Sequence, residues 1–160
     1  MKKAFSLIVV VLIFGTVLSS CVIPADKVLN SLGEYKSHEF YTEGAFQDYT
    51  DYAKYYYDSV DFTDNEYFTK IEQYDTNNLS EYLDNFESFI ELYRENDASR
   101  EIVVNYDFNR TLIDENDYVY IYSKPYNFDD VDYNDMKFYH YEIYFFDTQT
   151  NTLYYFHNNI

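Results

Sequence analysis

The chain has 160 residues, 29 of them acidic and 11 basic, for a formal net charge of −18. That balance excludes the basic stripe that releases counterions from nucleic acid, and the lysine–arginine clusters that dock on anionic lipid. Twenty-two tyrosines and 14 phenylalanines separate it from a disordered acidic chain, and a single cysteine leaves no intrachain disulfide, so a hydrophobic core must hold the fold.

The chain opens with Met1-Lys2-Lys3, runs through apolar residues from Ala4 to Val17, and closes on Leu18-Ser19-Ser20-Cys21. A positive start, a short apolar stretch and small residues before a cleavage point are the layout of a secretory signal. The apolar run falls short of the roughly 20 residues that a spanning helix needs. Leu18-Ser19-Ser20-Cys21 resembles the bacterial lipobox, and residues 1–21 are similar to the lipoprotein signal class as a whole. The resemblance implies a signal peptide over 1–20, cleavage ahead of Cys21, a diacylglyceryl group on Cys21, and residence at the extracytoplasmic face of the cell membrane. Two acyl chains suffice for stable anchoring, each buried CH₂ contributing about 0.8 kcal/mol.

Residues 21–37 read as a lipidated tether and lead-in. Pro24 restricts its start, Asp26 is placed to cap a short helix bearing Val28, Leu29 and Leu32, and Gly33 is placed to end it. Fully extended, the roughly fifteen residues after Cys21 reach no more than ~50 Å. A single domain is expected over 38–160, since no Gly/Ser-rich linker and no repeat interrupts it.

Within that domain Phe46, Tyr49, Ala53 and Tyr56 step by three or four and predict a helix over 45–57, although the Tyr55-Tyr56-Tyr57 run also suits a strand. Phe62, Phe68 and Ile71 are the anchors of the next stretch. Leu79, Tyr82, Leu83, Phe86, Phe89, Ile90 and Tyr93 recur at helical spacing, and Asn78-Leu79-Ser80-Glu81 reads as a capping box, predicting a helix from about 79 to 93 or 94. Alternation of Ile102, Val104, Tyr106 and Phe108 predicts a strand over 101–108. Further strands are predicted over 118–123, 137–146 and 153–157, the last two joined by a polar hairpin at 147–152. Sequential strands with short polar joins pair with one another. The expected fold is therefore α+β, with N-terminal helices packed on one face of a roughly four-stranded antiparallel meander.

Glycines are too few and too scattered for a phosphate-cradling loop, and His38-Glu39 lacks the second histidine of a zinc-protease helix. Asp130-Val131-Asp132-Tyr133-Asn134 reproduces the start of an EF-hand loop. Asp130, Asp132 and Asn134 would offer hard oxygens to Ca²⁺, but the required glycine is Asp135, and the alternative is a solvated charge run. The hairpin places a second candidate. If Asp147 pairs with Thr152, Glu142 faces His157, Tyr144 faces Tyr155, and His140 lies diagonal to His157 on the same face. Two imidazoles and a carboxylate on one surface suit acid–base or metal chemistry, the alternative being an amphipathic outer face with one ion pair. A one-residue slip would separate them. The tyrosine surplus suggests a binding surface including Tyr55, Tyr57, Tyr144 and Tyr155, against the alternative of compositional bias.

The function these residues suggest is a membrane-anchored binding or inhibitory module for a protein or cell-envelope component, with a basic extracytoplasmic protein as the electrostatically matched partner. One alternative is a small metal-dependent or acid–base hydrolase using His140, Glu142 and His157. Another is a non-catalytic scaffold subunit.

Overall fold

A computed structural model describes residues 26–45, 48–124 and 137–160. The lipobox residues Leu18, Ser19, Ser20 and Cys21 lie outside the described residues, as do Phe46 and the calcium candidates Asp130, Asp132 and Asn134. The chain divides into two units, Met1–Ser31 and Leu32–Ile160. In the first, helix α1 spans Lys27–Asn30, and Asp26 caps it by accepting from the Val28 and Leu29 amides at 2.9 and 3.1 Å.

The second unit is α+β. Its elements in order are β1 (Ser37–Ala45), β2 (Asp48–Tyr56), β3 (Thr69–Lys70), helix α2 (Thr76–Asn96), helix α3 (Glu101–Asn105), β4 (Tyr118–Ser123), β5 (His140–Asp147) and β6 (Thr152–Asn159), with single 3₁₀ turns at Ile71–Gln73 and Arg110–Leu112. The strands form one antiparallel sheet in the order β1-β2-β6-β5-β4-β3. The predicted meander survives as β4-β5-β6. The first hairpin adds to it on the β6 side, so the final strand is central, and the sheet has six strands rather than four.

Three expectations are corrected. Residues 48–56 form a strand, not a helix, because β2 is a central strand buried on both faces from Thr50 to Lys54. A strand of that kind shows no alternation, and the chance spacing of its tyrosines mimics a helical stripe. Residues 101–105 form a helix, not a strand. The Val104 amide bonds the Arg100 carbonyl at 3.0 Å, the i to i−4 bond of a helix, and the turn buries Ile102 and Val103 while leaving Val104 exposed. Finally, the main helix is not N-terminal. It follows three strands and begins at Thr76, with Asp75 accepting from the Asn77 amide as cap, while Asn78 bonds the Tyr74 hydroxyl instead.

Helix α2 buries Leu79, Tyr82, Leu83, Phe86 and Ile90 against one face of the sheet, where Tyr52, Val119, Tyr141, Ile143, Phe145 and Phe156 meet it. Phe86 stands edge-on to Phe156 at 5.2 Å, and Tyr82 to Tyr141 at 5.1 Å. Buried tyrosines need a partner for the hydroxyl. Tyr52 donates to Asp107 Oδ1 at 2.7 Å and Tyr141 to Asn85 Oδ1 at 2.9 Å. Burial pushes both hydroxyls well above the ordinary tyrosine range.

At the margin of this layer Lys54, itself buried, places Nζ 2.8 Å from Asp107 Oδ2 and 3.1 Å from Glu39 Oε2. Burial alone would push the ammonium down, but the two carboxylates outweigh it and hold it above the usual lysine range. Glu39 also accepts from Tyr56 at 2.7 Å and Tyr41 at 3.0 Å, and the Tyr56 hydroxyl foremost holds its carboxyl below the ordinary glutamate value. Gly44 has φ +138°, and an added Cβ would meet the Asp48 carbonyl oxygen at 2.2 Å, so only glycine lets the β1–β2 hairpin close.

Phe86→Ala should lower stability by about 3–5 kcal/mol in chemical denaturation, the cost of a large core cavity. Phe40→Ala, at a side chain 47% exposed, should change it by less than about 0.5 kcal/mol. Because the folded pKa of Glu39 is depressed, its contribution is present above the ordinary glutamate pKa and is lost as pH falls through the folded value. Glu39→Gln should therefore flatten the acid limb of the stability–pH curve, with little change in its shape above neutrality.

Candidate functional site

Side chains on successive strands align in rows across the face opposite α2. One row runs Thr42, Asp51, His157, Glu142, Tyr122 through β1, β2, β6, β5 and β4. The row toward one end holds Tyr49, Asn159 and His140. The row toward the other holds Phe40, Ala53, Tyr155, Tyr144 and Tyr120. Beyond that, the segment after β2 folds over the sheet, with Phe62 stacked on Tyr118 at 3.9 Å and edge-on to Phe146 at 5.1 Å.

The expected hairpin register is the one observed: Glu142 pairs with His157, Tyr144 with Tyr155 and Asp147 with Thr152. His140, Glu142 and His157 are brought together, one ligand atom from each lying within 4.8 Å of the others. The two imidazole rings meet edge-on at 5.3 Å. Tyr144 donates its hydroxyl to Glu142 Oε2 at 2.8 Å.

Two residues that the sequence did not single out orient the histidines. Asp51 Oδ2 lies 3.0 Å from His157 Nδ1, and both side chains are buried. Asn159 Oδ1 lies 2.8 Å from His140 Nδ1. A carboxylate and an amide oxygen accept, so each Nδ1 is placed to donate, and in a neutral ring Nε2 is then the atom with the lone pair. His157 Nε2 is buried with no hydrogen-bond partner among the described residues. Tyr49 closes the site with its ring 5.0 Å from that of His157, its hydroxyl pushed up by burial and then by the Asp51 and Glu142 carboxylates. Asp51 becomes visible only once β2 is known to pair with β6, a contact between residues 106 positions apart.

The predicted tyrosine surface is rearranged. Tyr57 is buried against Phe146, and Tyr144 is 2% exposed beside Tyr155 and Tyr120, so neither belongs to an exposed surface. Tyr55 and Tyr155 are half-buried, Tyr55 stacking on His38 at 5.6 Å. The exposed rings on this face include Phe40 and Tyr122, together with Tyr35 and His38 packed beside Tyr55. Past the covered end of the sheet lies an open cavity of about 900 Å³, bordered by Phe62, Lys70, Gln73, Asn116 and Thr148. Six residue steps along β5, roughly 20 Å of strand, separate its Phe146 border from His140.

No protein-family model matches the chain, and no curated protein or solved structure matches it either.

Proposed function

We propose that the chain is a lipid-anchored, extracytoplasmic binding module that meets a basic envelope protein with the open face of its sheet. The observation that carries the proposal is the makeup of that face. Its described strand positions hold Asp51 and Glu142 against one cation, Lys70 on the β3 edge beside Tyr118, which Glu72 engages at 3.2 Å, and Phe40 and Tyr122 stand exposed at its two sides. Six lysines and arginines elsewhere are also engaged in ion pairs, as in Arg100–Glu43 and Arg110–Glu87, both at 2.7 Å. The field outside the domain is thus set by the unmatched carboxylates, which favours a cationic partner and raises its encounter rate. Exposed aromatic rings supply contact area at small entropic cost. Among the described residues no helix is long and apolar enough to cross a membrane. Attachment in this reading comes from acyl chains on Cys21, with Leu18, Ser19 and Ser20 as the cleavage motif.

A second reading, a small metal-dependent or acid–base hydrolase, is favoured by the convergence of His140, Glu142 and His157. In that reading Glu142 is the general base and the imidazoles hold the ion or relay the proton.

Cys21→Ala should move the protein from the membrane fraction to the soluble extracytoplasmic fraction. Unchanged retention in washed membranes would rule out the lipid anchor. For the binding face, a photo-crosslinking residue at Phe40 or Tyr122 should give a discrete product in intact envelopes that weakens as salt is raised. The same residue at Leu92, exposed on α2, should give none. Equal labelling from all three positions would sink the assignment of this face.

A further inference from the structure

The geometry points to a divalent transition-metal site of the zinc class formed by His140, Glu142 and His157, with Asp51 and Asn159 as positioning residues. It begins with strand alternation: His140 and Glu142 are two apart on β5 and share a face, and His157 is the cross-strand partner of Glu142 on β6. Three potential ligands thus project from the two central strands of a rigid sheet, which fixes them better than loops would.

The orientation of His157 is the second observation, independent of the clustering. Asp51 holds Nδ1 at 3.0 Å, while Nε2 is buried and lacks a partner among the described residues. A buried polar atom left unsatisfied is destabilising, and a bound cation removes that cost. The carboxylate–imidazole pair is the arrangement that fixes a ligating histidine in the right tautomer and raises its basicity. Asn159 does the same for His140 at 2.8 Å.

Two imidazoles and one carboxylate suit zinc, cobalt or nickel rather than calcium, which takes six to eight oxygens. Ligand atoms about 2.0–2.2 Å from a tetrahedral ion stand roughly 3.4 Å apart. The 4.8 Å spread closes by small rotations of His140 and Glu142, which are half-buried, while buried His157 stays in place. With three protein ligands at a solvent-facing surface, the fourth position belongs to water or to a donor atom brought by a bound molecule. The site is independent of the envelope-binding reading, because it needs no partner protein.

The test is a Co²⁺ titration of the full-length chain, free of any histidine tag and held in detergent, followed by visible absorption and then by zinc competition. One ion per chain is expected, with a d–d band that zinc abolishes. His140→Ala and Glu142→Gln, at half-buried positions, should remove the band while near-ultraviolet circular dichroism stays native. His157→Gln should do the same. Asp51→Asn should keep the stoichiometry and weaken affinity about 10–100-fold, the usual size of an outer-partner effect. His38→Ala should leave binding unchanged. Zinc should also raise the thermal midpoint of the wild-type chain and not that of His140→Ala. No saturable band, a band that persists in folded His140→Ala or Glu142→Gln, or one lost in His38→Ala would overturn the site.

Discussion

The period-two alternation of the β5–β6 hairpin is the constraint on which the rest depends. Along β5 it sends Tyr141, Ile143 and Phe145 toward α2 and His140, Glu142 and Tyr144 to the opposite face. Along β6 it sends Tyr154, Phe156 and Asn158 one way and Tyr155, His157 and Asn159 the other. Slipping one strand by a residue would therefore damage both faces at once, putting imidazole and carboxylate under the helix and phenyl rings in water. Selection for a buried core and preservation of the histidine cluster thus act on the same register. The cluster's geometry needs no separate device.

The legibility of the sequence follows from how local each determinant is. The hairpin could be read because its turn, its alternation and its pairing all lie within about twenty residues. Helix α2 was legible for the same reason: its apolar stripe is continuous, and only its true cap at Asp75 was missed in favour of Asn78 three residues on. What misled was context. At β2, Thr50, Asp51 and Lys54 are polar yet buried, because Tyr93, Asn158, His157, Asp107 and Glu39 satisfy them from distant parts of the chain. At α3, the β-branched pair Val103-Val104 favours a strand locally, but Ile102 and Val103 gain more by packing together beneath α2. Half of the histidine site was readable in this sense. His140, Glu142 and His157 come from one hairpin, whereas Asp51 arrives from the other end of the domain.

Electrostatics divides between the faces in a similar way. Cations are spent on the helix side, where Lys54 spans Glu39 and Asp107, Arg100 meets Glu43, and Arg110 meets Asp84 and Glu87. The Lys54 and Arg100 pairs join β1 and β2 to the segments after α2, and the Arg110 pairs tie the following 3₁₀ turn back to α2. They are partly exposed, so each contributes modestly, and their value lies more in orientation than in energy. The opposite face keeps its two carboxylates for the histidines and tyrosines.

The pairing of β2 with β6 has a consequence for how the domain forms. Tyr52 sits opposite Phe156 in the middle of the sheet, so the core is completed by residues about a hundred positions apart. Such high contact order slows folding, since the loop must close before its contacts stabilise anything. It also makes folding all-or-none along the direction of synthesis. A chain that has emerged only as far as β5 lacks the strand that joins the first hairpin to the meander, and has two incomplete sheets with open edges. Until β6 is in place between β2 and β5, the first hairpin and the meander remain unjoined and the core stays open along both.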